Sequence, residues 1–235
     1  MTIKSKIVEL LYPPRCPICD RCIPSDELIC EECAKLIRPI EEECCKKCGK
    51  TLADKDRIYC FDCSKKIHYF DRNYALFEYK DIKKSLYRFK YAGRAEYGRY
   101  YAYIAYKELG TLLSGMKADA IVPVPIHSKR KRNRGYNQAE EFAKYLSDYI
   151  KVPVMNDLVI RKKKTLPLKN LSGKERINNL KRAFIIARND VKLKTIIIVD
   201  DIYTTGATFD TLSVVLRGTG IEKIYCLTVA VGKGL

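Results

Sequence analysis

"TIIIVDDIYTTGAT", residues 195–208, sets an apolar run against two adjacent carboxylates, Asp200 and Asp201, and then three threonines around Gly206. Thr195 to Val199 is β-branched throughout, which suits a parallel strand buried on both faces. The continuation "TFDTLSVVLRGTG" has Leu212, Val215 and Leu216 at helical spacing with Gly218 and Gly220 as stops, and "EKIYCLTVAV" resumes as a strand. This predicts a β-α-β unit, whose ligand site lies beyond the carboxyl end of its first strand, where Asp200 and Asp201 are expected. The turn of Tyr203, Thr204, Thr205, Gly206, Ala207 and Thr208 offers backbone amides and hydroxyls at a helix N-terminus, a cradle for phosphate. Carboxylates repel a phosphate, so they are expected to face hydroxyls of the same ligand, directly or through Mg2+. A phosphate with a diol a few ångströms away describes a ribose 5-phosphate; an acidic turn in an unrelated α/β fold is the plainer alternative.

Upstream, "DAIVPVPIHSKRKRNRGYNQAEEFAKYL", residues 119–146, reads as strand, basic loop and helix, a second β-α unit. "RKKKTLPLKNLSGKERINNLKRAF", residues 161–184, is polar and suits a hood over a ligand.

Ten of the eleven cysteines lie between Cys16 and Cys63, and eight form C-x2-C pairs: Cys16/Cys19, Cys30/Cys33, Cys45/Cys48 and Cys60/Cys63. Each pair puts two thiolates on one tight turn, and two turns complete a tetrahedral zinc site. Sequential pairing closes the shorter loops, while an interleaved cross-brace fits the same spacing. Four closed ligands per ion make structural sites; a redox dithiol or an iron–sulfur cluster is the competing reading. Cys22 and Cys44 fall outside the pairs, although Cys44 can replace Cys45 if its turn shifts. Cys226 reads as a buried thiol. His68 follows the module and is not needed as a ligand once eight cysteines fill two sites.

"IIIVDDIYTTGAT" resembles the phosphoribosyl-pyrophosphate (PRPP) signature of type I phosphoribosyltransferases. Together with "VPVP…R…RGYNQA", "LSGKERINNLKRAF", "LYPPRCPIC" and "FKYAGRAEYGRYYA", the cysteine pairs extend the resemblance nearly end to end to the ComF family of bacterial late-competence proteins. The resemblance implies an α/β fold: a type I phosphoribosyltransferase-like parallel sheet flanked by helices, with a small N-terminal zinc-binding module. The expected division is a zinc module over 1–66 and a transferase-like domain over 67–235, with a helical segment at 80–110 and a hood at 161–184. In that reading Asp200 and Asp201 serve the ribose hydroxyls and the Mg2+ environment, and Tyr203 to Thr208 hold the 5-phosphate. The basic loop takes the pyrophosphate position, with Arg130, Arg134 and Asn137 as candidates because guanidinium groups match phosphate oxygens. His127 beside that loop is a weaker candidate. Family members often carry glutamine where this chain has Leu168, whereas Arg176 and Asn179 match the hood pattern.

The formal charge of +17 is concentrated: residues 127–194 hold 19 basic and 6 acidic side chains. That excess is more than one small ligand needs. "KRKRNR", with Tyr136 close by, and "RKKK" have the composition that tracks a nucleic-acid backbone. The module over 1–66, with 13 basic and 12 acidic residues, reads as a folding clamp or a docking surface for a DNA-uptake helicase or other competence protein. Many tyrosines fall between 69 and 106, as expected for an amphipathic helix that buries part of them, with a base-stacking platform as the alternative. No apolar run approaches the roughly 20 residues of a membrane helix, and the N-terminus has no apolar core followed by a cleavage site. A soluble, cytoplasmic protein is expected. Two functions compete: a PRPP-dependent phosphoribosyltransferase whose second substrate brings the nucleophile, and a non-catalytic protein that binds single-stranded DNA through block 127–194 and keeps the pocket as relic or sensor.

Overall fold

The second C-x2-C of each pair runs into a short helix, α1 (Glu31–Leu36) and α2 (Phe61–Lys65), which start directly after Cys30 and Cys60 and carry Cys33 and Cys63. The chain continues through β1 (Arg72–Glu78), α3 (Tyr79–Tyr91), α4 (Tyr97–Gly115), β2 (Ala120–Pro123), α5 (Ser128–Arg134), α6 (Gln138–Ile150), β3 (Val159–Arg161), β4 (Phe184–Ile186), β5 (Thr195–Tyr203), α7 (Ala207–Arg217) and β6 (Lys223–Val231). The computed structural model describes residues 13–41, 43–161, 184–188 and 192–232. Most of the expected hood, including Leu168, Arg176 and Asn179, lies outside them.

The central sheet has the order β1-β6-β5-β2 and is parallel throughout, as the β-α-β reading requires. Ile196, Ile197, Ile198 and Val199 are fully buried at its centre. Ile197 and Val199 face a layer with Phe89, Tyr97, Tyr101 and Phe142 from α3, α4 and α6. Ile196 and Ile198 face a second layer with Phe209, Leu212 and Leu216 of α7. Each such side chain contributes about 1.5–3 kcal/mol on burial, so two-sided cover explains why this strand carries no alternation. Cys226, fully buried, belongs to the second layer.

The tyrosine-rich segment forms α3 and α4. Tyr97, Tyr100 and Tyr101 are buried, whereas Tyr87, Tyr91, Tyr103 and Tyr106 remain exposed. Among the described residues no helix is long and apolar enough to cross a membrane.

The second ribbon covers the outer edge of β1, where unpaired backbone groups would otherwise template further strands. Asn73 Nδ2 donates to the Cys48 carbonyl at 2.8 Å, and the Asn73 amide donates to the Lys47 carbonyl at 2.8 Å. Cys45 and Cys48 are fully buried and join the same apolar layer as Phe70 and Phe209. The first ribbon instead meets α3 and α4: Arg88 donates to the Ile18 carbonyl at 3.1 Å and Tyr97 to Asp20 at 2.6 Å.

Candidate functional site

Strand β5 outlasts its neighbour on one side. β2 pairs with Ile196 to Val199 only, whereas β6 continues alongside Asp200, Ile202 and Tyr203. The two carboxylates therefore lie inside the strand, in its last four residues, and not beyond its end as the sequence pattern implied. The pairing with β6 carries the extended backbone onward, and the missing β2 partner opens the site on the other side.

Asp201 is 8% exposed and meets Lys90 Nζ of α3 at 3.0 Å. Asp200 accepts the Asp201 amide at 2.8 Å. Burial, then the adjoining Asp201 carboxylate, push the Asp200 carboxyl up to about 8; the Asp201 amide, Lys90 and Arg161 work in the opposite direction. Arg161, at the end of β3, feels both Asp200 and Arg130, with desolvation and then the Arg130 guanidinium holding it below its ordinary range. Two carboxylates and three cations thus converge from α3, α5, β3 and β5. Lys90 and Arg161 were not read as site residues; each comes from a separate part of the chain, and neither carries a local motif beyond its position at an element's end.

The turn after β5 is set by Gly206, whose φ of +75° caps α7 in the left-handed region. A Cβ there would lie 2.6 Å from Tyr203 Oη and 2.9 Å from His68 Cε1. Ala207 and Thr208 open the helix, whose first backbone amides have no intrahelical acceptor. Thr204 and Thr205 are exposed, and the hydroxyls of Thr204, Thr205 and Thr208 make no hydrogen bond among the described residues. Tyr203 is placed differently: its ring is buried against Phe70 and Phe209, and its carbonyl accepts the Gly232 amide at 2.8 Å. The turn thus presents amides and hydroxyls to one side and its tyrosine to the core.

The basic stretch after β2 is a helix and not the loop its charge density implied. His127 Nδ1 accepts the Lys129 amide at 3.2 Å and so caps α5, and Gly135 at φ +82° ends it. His127 thereby has a structural task. Arg134 donates to Gln138 at 2.8 Å and to Tyr91 Oη at 3.0 Å, with its guanidinium 4.7 Å from the Tyr91 ring centre. Asn137 is 1% exposed; it donates to the Val124 carbonyl at 3.0 Å and accepts the Ala139 amide at 3.1 Å. Of the three basic-segment candidates, Arg130 is exposed and acts on Arg161, while Arg134 and Asn137 hold the wall together.

The cysteine sulfurs form two groups, Cys16, Cys19, Cys30 and Cys33, and Cys45, Cys48, Cys60 and Cys63, each with its donor atoms within 4.8 Å of one another. Pairing is therefore sequential, and Cys45 holds its place over Cys44. Four sulfurs at this spacing match a structural Zn2+ site.

Residues 7–64 match the double zinc ribbon domain family. The chain is 41% identical to Competence protein F of Haemophilus influenzae over 108 residues, 45% of this chain and 47% of that protein. It is 32% identical to Competence protein ComFC of Bacillus subtilis over 145 residues, 58% of this chain and 54% of that one. It is also 32% identical to DNA utilization protein YhgH of Escherichia coli over 111 residues, 46% and 48% of the two chains. The chain thus spans about half the length of these relatives. Among solved structures, the adenine phosphoribosyltransferase of Thermoanaerobacter pseudethanolicus has a TM-score of 0.36 at 18% identity, covering 60% of this chain and 83% of that one. The hypoxanthine phosphoribosyltransferase of Staphylococcus aureus has a TM-score of 0.34 at 15% identity, with 60% and 74% covered. The chain thus carries a double zinc ribbon and is similar to competence and DNA-utilization proteins over about half their length.

Proposed function

We propose that the chain binds PRPP at the open end of β5 and transfers its phosphoribosyl group to an acceptor in the context of DNA uptake. The observation that carries this reading is the convergence, where β2 stops, of a paired carboxylate, a glycine-capped helix N-terminus and the Arg130–Arg161 cation pair. The amides and hydroxyls from Thr204 to Thr208 hold the 5-phosphate, and Asp200 and Asp201 accept the ribose hydroxyls. Arg130 and Arg161 face the pyrophosphate, with Arg134 and Asn137 shaping the wall behind them. The Lys90–Asp201 ion pair orients the second carboxylate.

Transfer breaks the bond from the anomeric carbon to pyrophosphate, whose oxygen leaves with the electron pair, and forms a bond from that carbon to a nucleophile on the second substrate. Charge builds on the departing pyrophosphate as the anomeric carbon becomes cation-like, so cations facing the leaving group act mainly in the transition state. Mg2+, with the carboxylates close by, would neutralise further phosphate charge when bound.

Calorimetric titration of the zinc-loaded protein with PRPP, with and without Mg2+, tests this against Asp200→Asn/Asp201→Asn. Saturable binding lost in the double variant is expected; no binding at millimolar PRPP would sink the reading.

A second reading, nucleic-acid binding with the pocket kept as relic or sensor, is favoured by a separate observation. Tyr87 and Tyr91 are 64% and 60% exposed, with ring centres 5.2 Å apart, and Arg134 of the basic helix α5 covers Tyr91. Base stacking on such rings contributes about 1–3 kcal/mol per base. Fluorescence anisotropy with a labelled single-stranded oligonucleotide decides it: Tyr87→Ala/Tyr91→Ala is expected to weaken binding at least tenfold, and an unchanged affinity removes the platform.

A further inference from the structure

Behind the phosphate turn stands a buried cluster that the function proposed above does not use. Asp210, in the first turn of α7, is 4% exposed and accepts from three directions. The Tyr69 amide reaches it at 3.0 Å, Lys66 Nζ at 3.1 Å, and His68 Nδ1 lies at 3.0 and 3.1 Å from its two oxygens. A carboxylate that accepts all three fixes Nδ1 as a protonated nitrogen of His68. The opposite nitrogen, Nε2, is then aimed at Cys63 Sγ, 3.6 Å away. His68 itself lies outside the four mutually close sulfurs of the second site.

The same residues support the turn. Gly206 packs against the imidazole so closely that a Cβ would lie 3.1 Å from Nδ1. Lys66 Nζ also donates to the Thr205 carbonyl at 3.0 Å. One side of this junction opens as a cleft of about 290 Å³ lined by Phe61, Cys63, Lys66, His68, Thr204 and Thr205. The described contacts of the first ribbon go elsewhere, to α3 and α4 through Ile18 and Asp20.

We propose that His68 and Asp210 are positioning residues that couple Zn2+ in the second ribbon to the phosphate turn. Partners of a zinc ligand hold the ligand in place, and their loss commonly lowers metal affinity about 10–100-fold. Here the imidazole packed against Cys63 is itself held by Asp210 of the helix whose N-terminus forms the turn. Zinc anchors the segment from Cys60 to Cys63, which keeps Lys66 and His68 under Thr205 and Gly206. A ligand that orders the turn in turn holds Asp210, His68 and Cys63. Linkage makes the effect reciprocal: the factor by which the ligand tightens zinc is the factor by which zinc tightens the ligand. The ligand side of the coupling rests on the PRPP reading; the zinc side does not.

The test follows zinc release from the full-length protein into a chromophoric chelator. Alkylation and peptide mass spectrometry assign the two release phases to Cys16–Cys33 and Cys45–Cys63. In wild type, PRPP is expected to slow the second-ribbon phase about tenfold and leave the first unchanged. Without ligand, Asp210→Asn and His68→Gln are expected to accelerate the second-ribbon phase about tenfold or more. A wild-type rate for the first phase certifies that the variant is folded. If a variant releases both ions fast, Lys66→Met, whose side chain is 45% exposed, takes its place with the same expectation in direction. Equal zinc release in wild type and the folded variants overturns the relay, as does a second-ribbon phase indifferent to PRPP that calorimetry shows to be bound. If PRPP does not bind, the functional reading falls, and the variants alone decide the relay.

Discussion

Gly206 is the residue on which the turn depends, for two independent reasons. Its φ of +75° is costly for any residue with a Cβ, and that Cβ would meet the Tyr203 hydroxyl and His68 ring below van der Waals distance. Gly206→Ala is expected to destabilise the chain by about 1–3 kcal/mol and to abolish PRPP binding, read by thermal unfolding and calorimetry; unchanged stability would contradict the described turn. Asp200 has the opposite character, being a liability to the empty fold. Its pKa is raised from 3.8 to about 8, so the folded state prefers the protonated carboxyl. The stability this preference contributes is full below the unfolded value and is lost as pH rises through about 8. Asp200→Asn cannot ionise and is expected to be the more stable protein at pH 8, by at least about 1.4 kcal/mol, the equivalent of one pKa unit. Its melting temperature should vary less between pH 4 and 8 than that of wild type, while PRPP affinity falls. A variant less stable than wild type at pH 8 would show that the carboxylate is not under strain. Stability gained together with affinity lost is what a residue kept for binding produces.

At the scale of elements, β2, α5 and α6 divide their polar residues between building the wall and facing the ligand. Asn137 caps α6 and satisfies the Val124 carbonyl at the end of β2, so Asn137→Ala removes a cap and leaves a buried acceptor without its donor. A loss of about 1–3 kcal/mol in chemical denaturation is expected. Arg130, exposed on α5, should show the reverse: Arg130→Ala leaves stability within about 0.5 kcal/mol and weakens PRPP binding about tenfold. If both variants act on stability alone, the pyrophosphate side of the site is misplaced. In the sequence these two residues share one segment with Arg134 at the expected pyrophosphate position, and side-chain type does not record who the partner is. What was legible was local: the β-branched run of β5, the helical spacing of α7, the glycine between them, and the C-x2-C turns. What was not legible needed tertiary contact. The strand β1, "RNYALFE", has no clean alternation, since the adjacent Leu76 and Phe77 are both buried, and Lys90 and Arg161 reach the carboxylates only once α3 and β3 are packed. The helix α5 was hidden by its charge, since its caps, His127 and Gly135, stand outside the basic run.

Across the whole molecule, the zinc ribbons are attached in two different ways, and the difference has consequences for stability. The first ribbon rests on α3 and α4 through polar contacts of Asp20 with Arg88, Arg94 and Tyr97, and through half-buried Ile18, Leu28, Ile29 and Ile37 at the margin of the helical layer. The second shares an apolar layer with the sheet, since Cys45 and Cys48 pack with Phe70, Tyr203, Phe209 and Val231, and Gly49 approaches β1 so closely that a Cβ would lie 3.1 Å from the Ala75 amide nitrogen. Removing zinc from the second site leaves four thiols in contact at the margin of that layer and withdraws the clamp that covers the edge of β1. Structural zinc contributes folding free energy directly, because the unfolded chain has no preformed site. Chelation is therefore expected to lower the unfolding temperature of the parallel sheet itself, with ribbon and sheet lost in one transition, and to promote aggregation through the uncovered edge of β1. Replacing Cys30 with serine, which disables only the first site, should leave the sheet's transition within a few degrees of wild type, whereas Cys60→Ser should reproduce the effect of chelation. Calorimetric scans of the two variants separate these outcomes: equal shifts would mean that both ribbons are peripheral supports, and a larger shift for Cys60→Ser would make the second ribbon part of the core that carries the phosphate turn.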